Sequence, residues 1–224
     1  MTPDPCPPAQ EIRAVDLRFA SIGSAEAPGY GQRLATTPLG PPVLPHWCVW
    51  LEPAQSATPN RWEQRWALGV NQALLAWEQL LPVTRVFDPQ RAHVRIERRR
   101  PPRRQLAEGW RASNGRSLLE TLDVRRGQRW QLEARVTVLV SPELRAPVLQ
   151  ATALHELGHA FGLWGHSDHP ADVMAVSQGG GPRLRLSARD RQTLQWMRRQ
   201  PTQFGQPRTP TSAPDSTTPR SCCP

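Results

Sequence analysis

Apolar residues recur at steps of three and four along one stretch, as Trp62, Trp66, Val70, Ala73, Leu74, Trp77, Leu80 and Leu81, with polar residues between them. That period puts them on one face of an α-helix over residues 60–81, with Asn60 as its N-cap and Pro82 as its stop. A Trp stripe at helical spacing reads as packing against a sheet rather than as an aromatic binding site. Strand patterns flank it. His46 to Leu51, between Pro45 and Pro53, reads as a first strand, and Val83 to Phe87 and His93 to Glu97 as two more, separated by Asp88-Pro89. His93, a lone histidine, reads as a surface or packing residue. Leu118 to Val124 and Trp130 to Val140 flank Arg125-Arg126-Gly127-Gln128 as a hairpin. In its second arm Val136, Val138 and Val140 share one face, and Arg135, Thr137 and Leu139 the other, a half-buried alternation. Ser141-Pro142 breaks that strand, and residues 147–161 form a second helix with Leu149, Thr152, Ala153, Leu157 and Ala160 available for packing. A Gly-rich loop over 177–182 precedes a last helix, capped by Ser187 and carrying Leu194, Trp196 and Met197.

Proline changes the picture at both ends. Residues 1–45 hold Pro3, Pro5, Pro7, Pro8, Pro28, Pro38, Pro41, Pro42 and Pro45 with few large apolar groups, and residues 201–224 form a Thr, Pro and Ser tail. Both read as disordered, which leaves one domain over residues 46–200. Net charge is +9 with no Lys, and thirteen Arg fall between Arg91 and Arg135. Attraction to acidic substrates or nucleic acid is one reading; a solvated basic loop from Arg98 to about Gly115 is the preferred one. Cys6, Cys48, Cys222 and Cys223 make no disulfide framework, since three of them lie in the Pro-rich ends. No apolar run approaches the ~18 residues of a membrane span, and the N-terminus lacks the basic and apolar regions of a signal peptide.

The chemistry is concentrated in His155-Glu156-Leu157-Gly158-His159-Ala160-Phe161-Gly162-Leu163-Trp164-Gly165-His166, with Met174 eight residues on. Residues four apart on a helix are offset by roughly 40° and 6 Å, so His155 and His159 present two imidazoles to one ion. Glu156, beside the first of them, cannot easily reach that ion but can reach a water on it, and reads as a general base. Gly162 marks the helix end with φ > 0, and His166 after the turn supplies a third imidazole. Asp168, Asp172 and His169 stay open as alternative third ligands. The clan that takes its third ligand from a later Glu is closed, because no Glu follows Glu156.

This run resembles the metzincin signature H-E-x-x-H-x-x-G-x-x-H with its Met-turn, and is most similar to the matrixins. Three residues, Leu163, Trp164 and Gly165, stand between Gly162 and His166 where the family has two. Leu186-Ser187-Ala188-Arg189-Asp190 resembles the family's last helix start, so the resemblance spans about Trp47 to Arg199. It implies an α+β, zincin-like metalloprotease domain: a twisted mixed sheet of four to five strands with a sheet-packing helix, an active-site helix and a C-terminal helix. It implies a zinc-dependent endopeptidase in which His155, His159 and His166 hold one catalytic Zn2+. By the same resemblance a metal-bound water would be activated by Glu156, and Met174 would lie as a structural floor beneath the ion. A protein or peptide substrate would bind as an extended strand along the hairpin, and the enzyme would be a monomer without a membrane span.

Departures from the family remove some of its features. No His and Asp cluster marks a second, structural zinc, and calcium is left open. The family's latency cysteine could be Cys6, but the Arg and Gly pattern around it is missing. Tyr30, the only Tyr, lies in the Pro-rich end, far from the motif, so no oxyanion-stabilising Tyr is expected. Ala175-Val176-Ser177 replace the residues that shape the family's specificity pocket, so substrate preference does not carry over. The family is mostly secreted, whereas no export signal is found, and location stays unassigned. The rival readings are a catalytically inactive, zinc-stabilised binding module and an Arg-rich anion or nucleic-acid binder.

Overall fold

The computed structural model describes residues 4–21, 26–106, 109–111, 113–176 and 181–209. Helix α1 (Arg61–Glu78) begins where the capping residues place it: the Asn60 side chain accepts from the Trp62 and Glu63 amides, and Glu63 accepts from the Asn60 amide. Trp66, Val70, Ala73, Leu74 and Trp77 are buried as the helical period requires. Trp62 is not; it stands 46% exposed in the first turn, with the Arg61 and Arg65 guanidinium groups over its ring.

The strands are β1 (Glu11–Ala14), β2 (Ala20–Ser21), β3 (Ala35–Thr36), β4 (Trp47–Leu51), β5 (Val83–Arg85) and β6 (Val94–Glu97). They continue with β7 (Arg104–Leu106), β8 (Gly109–Arg111), β9 (Gly115–Arg126) and β10 (Arg129–Val140). Six of them form one mixed sheet in the order β1-β9-β10-β6-β4-β5, with β10, β6, β4 and β5 parallel and β1 and β9 antiparallel. With helices α2 (Ala146–Ala160) and α3 (Ala188–Met197), the class is α+β with three helices. The sheet has six strands, one more than the upper expectation, because β1 joins it.

That strand belongs to the segment expected to be disordered. Residues 4–45 instead contribute buried Tyr30, Leu34, Val43 and Leu44 to the core, and Cys6 is joined to Cys48 of β4 by a disulfide. The cross-link closes a loop of 42 residues, which on chain-entropy grounds contributes about 4 kcal/mol. It also takes Cys6 away from any latency role at the metal. At the other end, Phe204 is fully buried and the Gly205 amide donates to Leu132 O, so the fold continues past residue 200. The rest of the expected tail, with Cys222 and Cys223, lies outside the described residues.

The Arg-rich stretch is partly ordered too, since β7 and β8 pair within it. Much of its charge is matched: Arg98 meets Glu63 at 3.0 Å, Arg99 meets Glu97 at 2.8 Å and Arg126 meets Glu133 at 2.6 Å. His93 is a packing histidine, its Nδ1 accepting from the Cys48 amide. In β10, Val136, Val138 and Val140 are buried as the alternation predicts, but so are Arg135 and Leu139 on the opposite face. Both faces of that strand are covered. Helix α2 packs against α1 and under β9 and β10, with the Trp77 indole donating to Leu154 O. These contacts fix where α2, and with it its two histidines, sits against the sheet. Among the described residues no helix is long and apolar enough to cross a membrane.

Candidate metal centre

Helix α2 carries His155 and His159 one turn apart, and their ring centroids lie 4.9 Å from each other. Each Nδ1 faces a backbone carbonyl, His155 to Val173 O at 2.8 Å and His159 to Leu163 O at 2.7 Å. A carbonyl only accepts, so each Nδ1 carries the proton and each Nε2 keeps its lone pair. His166, on the loop beyond the helix, brings its ring to 5.3 Å from His155 and 5.0 Å from His159. One donor atom from each of the three lies within 4.8 Å of the other two, a group that could hold a metal ion.

The irregular spacing before His166 is absorbed locally. Gly162 has φ 110° and no room for a Cβ, which would meet Val43 Cγ1 at 2.4 Å. Leu163 is buried and turns its carbonyl onto His159. Gly165 bridges to Leu34, and a Cβ there would stand 2.3 Å from Arg33 O. The extra residue is therefore seated against residues 33–35 of the N-terminal segment, which also donates from Ala35 N to Trp164 O at 2.7 Å.

The alternative ligands are engaged elsewhere. Asp168 pairs with Arg189 at 2.7 Å, Asp172 is buried between the Ser167 and Ser187 hydroxyls, and His169 Nδ1 accepts from the Ala171 amide. Met174 is fully buried under α2; a Cβ at Gly158 would meet its sulfur at 2.2 Å, so the glycine is what lets the thioether lie against the helix. It is placed to pack, not to ligate.

Glu156 points the other way, toward β9. Ser117 Oγ donates to its Oε2 at 2.8 Å, and Gly115 passes so close that a Cβ would meet Glu156 Cγ at 2.6 Å. Burial pushes the carboxyl up to about 7, against the Ser117 hydrogen bond, which lowers it. Burial depresses His155 to about 4 and His159 to about 3, and His166 also lies below its ordinary value. All three imidazoles are thus neutral at pH 7, as ligands must be.

Two groups missed by the sequence reading complete the surroundings. Asp190, at the start of α3, accepts from the Val173 amide at 3.0 Å, from the Ser187 amide, and from the Tyr30 hydroxyl at 2.8 Å. Val173 in turn accepts from His155 Nδ1 through its carbonyl, so Tyr30 and Asp190 support His155 through the backbone N–H and C=O of that one residue. Ser117 is the other, and no pattern in the sequence marks it, since it lies 39 residues from Glu156 on an ordinary strand. Above the three histidines opens a cavity of about 700 Å³, walled by Phe19, Leu119 and Trp164 and by Gly115, Ser117 and Glu156. A second lobe of about 430 Å³ lies on the other side of Glu156, between α2 and Ala175-Val176.

The buried titratable groups predict how metal-free protein responds to acid. Between pH 6.5 and about 3 to 4 the unfolded chain holds protons on His155 and His159 that the folded chain refuses, so their contribution is lost as pH falls. Glu156 runs oppositely: its raised value gives stability present below pH 4.5 and lost as pH rises through about 7. Two groups outweigh one. Chelated protein should therefore lose stability in urea titrations from pH 6.5 to 4, and the Glu156→Gln variant should show a steeper loss.

Comparison of the chain with protein-family models found no match, and comparison with curated protein sequences found none.

Proposed function

We propose that this protein is a zinc-dependent endopeptidase of the metzincin, matrixin-like kind. The observation that carries the reading is the division of labour on α2. His155 and His159 are oriented by Val173 O and Leu163 O to converge with His166, while Glu156, one residue along, is turned out of that group toward the open cavity. A closed structural site has no use for such a carboxyl. The parallel order β10-β6-β4-β5 with an antiparallel β9 at its flank, and Met174 packed beneath the ligand helix, support the zincin-like fold and its Met-turn.

Three neutral imidazoles suit zinc, with a fourth position left to solvent. When bound, zinc supplies a Lewis acid for the scissile carbonyl and lowers the pKa of its water from ~15.7 toward ~7. Glu156, held by Ser117 and poised near neutrality, takes the proton from the attacking water and delivers it to the departing amine. No covalent enzyme intermediate is needed. The substrate is a protein or peptide lying extended along β9. Strand alternation turns the backbone groups of Gly115, Ser117 and Leu119 to the same edge as Thr121, and among the described residues they have no backbone partner there. The protein acts as a monomer in this reading.

Purified protein should contain close to one zinc by elemental analysis and should hydrolyse an unfolded casein-type substrate. A chelator should stop that hydrolysis, and added zinc should restore it. Zinc without hydrolysis would favour an inactive binding module. Hydrolysis that survives complete metal removal would sink the assignment.

A further inference from the structure

The outer edge of β9 is shared between two users. Over residues 121–125 it is occupied by the chain's own N-terminal strand: Glu11 to Ala14 stand opposite Arg125 to Leu122, and the Val15 amide donates to Thr121 O at 2.8 Å. Thr121 holds Val15 a second time through its hydroxyl, which donates to Val15 O. Past Val15 the segment leaves the strand. Phe19, 41% exposed, then reaches Trp164, with ring centroids 6.0 Å apart, and stands with Leu119 in the wall of the 700 Å³ cavity. From Ser117, which touches Glu156, to Thr121 the strand offers four residue steps, or ~14 Å at ~3.4 Å each.

We propose that β1 is an end stop for the substrate groove: on the Thr121 side of the scissile bond only about three substrate residues can pair with β9. The outermost of them meets Phe19 and Trp164 and is selected as a large apolar side chain. The stop is anchored at its start by the Cys6–Cys48 disulfide and by the Arg126 guanidinium, which donates to Pro7 O. On the other side of Glu156 the groove runs on into the second cavity, and no strand of this segment lies across it among the described residues. Substrate choice is thereby asymmetric about the cut. This rests on the peptidase reading for the identity of the ligand, but the groove geometry is tested by binding alone.

The test uses the full chain as its Glu156→Gln variant, loaded with zinc, and two series of labelled peptides. One grows from one to six residues on the N-terminal side of a fixed central bond, and the other on the C-terminal side. Fluorescence anisotropy should show affinity rising by roughly fivefold for each backbone hydrogen bond gained. In one series only, it should level off at about three residues. Arg13→Pro, which removes a ladder donor two residues before Val15, should let that series climb to five or six while zinc content stays at one. Phe19→Ala should lower the preference for a large apolar residue at the third position by on the order of tenfold. Affinity that climbs through six residues in both series, or does not depend on length in either, or is unmeasurable for the longest peptides, overturns the end stop. Failure of the wild type to cleave peptides that bind in this pattern overturns the peptidase reading instead.

Discussion

Exchanging Glu156 for Gln is expected to leave one metal per chain and to reduce hydrolysis of an unfolded protein substrate by on the order of 10²- to 10⁴-fold or more. The substitution is nearly isosteric, and the amide oxygen can still accept from Ser117 Oγ, which sits 2.8 Å from Oε2. Packing between Gly115 and α2 is therefore preserved. What disappears is the capacity to take a proton and give it back. A carboxyl pushed up to about 7 by burial is suited to both steps near neutral pH, and an amide to neither. Because the side chain faces β9 rather than the group formed by His155, His159 and His166, metal content should not follow activity. Casein-type cleavage that persists in the variant would remove Glu156 from the mechanism. Loss of the metal together with activity would make it a structural residue.

Helix α2 and its neighbours were legible because each is specified within a few residues. Asn60 and Glu63 fix where α1 begins, Ser187 and Asp190 fix α3, and the four-residue spacing of His155 and His159 determines a shared face once a helix is granted. The N-terminal segment was illegible for the opposite reason. Its apolar groups Tyr30, Leu34, Val43 and Leu44 show no local period, and each is buried by an element distant in sequence. Tyr30 meets Asp190 across 160 residues, and Leu34 meets the loop at Gly165. Proline count measures the absence of helix and sheet interiors, not the absence of docking. The Cys6–Cys48 bridge is equally hidden, since pairing of cysteines follows from three-dimensional proximity and not from spacing.

That hidden segment bears on the site more than its composition suggests. It seats the irregular loop through Leu34 and Ala35, supports His155 through Tyr30 and Asp190, and supplies Phe19 to the cavity. The Pro-rich end is thus part of what positions His155 and His166. Within the 46–200 domain alone, the loop before His166 would lose the strand against which it rests.

His166→Ala should be the most damaging change that spares the fold. The side chain is exposed at the cavity and makes no hydrogen bond to other described residues, so metal-free stability should change by no more than about 0.5 kcal/mol. Two imidazoles would remain, one short of the three protein ligands of a catalytic zinc site. Affinity should fall by more than the roughly 10- to 100-fold that loss of a ligand's supporting partner costs. Dialysis against a weak chelator should then strip the variant while the wild type keeps its metal, and hydrolysis should fall with occupancy. His169→Ala and Asp168→Asn serve as controls, because His169 and Asp168 are bonded to Ala171 and Arg189 and stand outside the donor group. Both should retain one metal. If instead the His166 variant keeps its metal and a control loses it, the third ligand has been misassigned. The extra residue between Gly162 and His166 would then have displaced the ligand rather than been absorbed at Gly165.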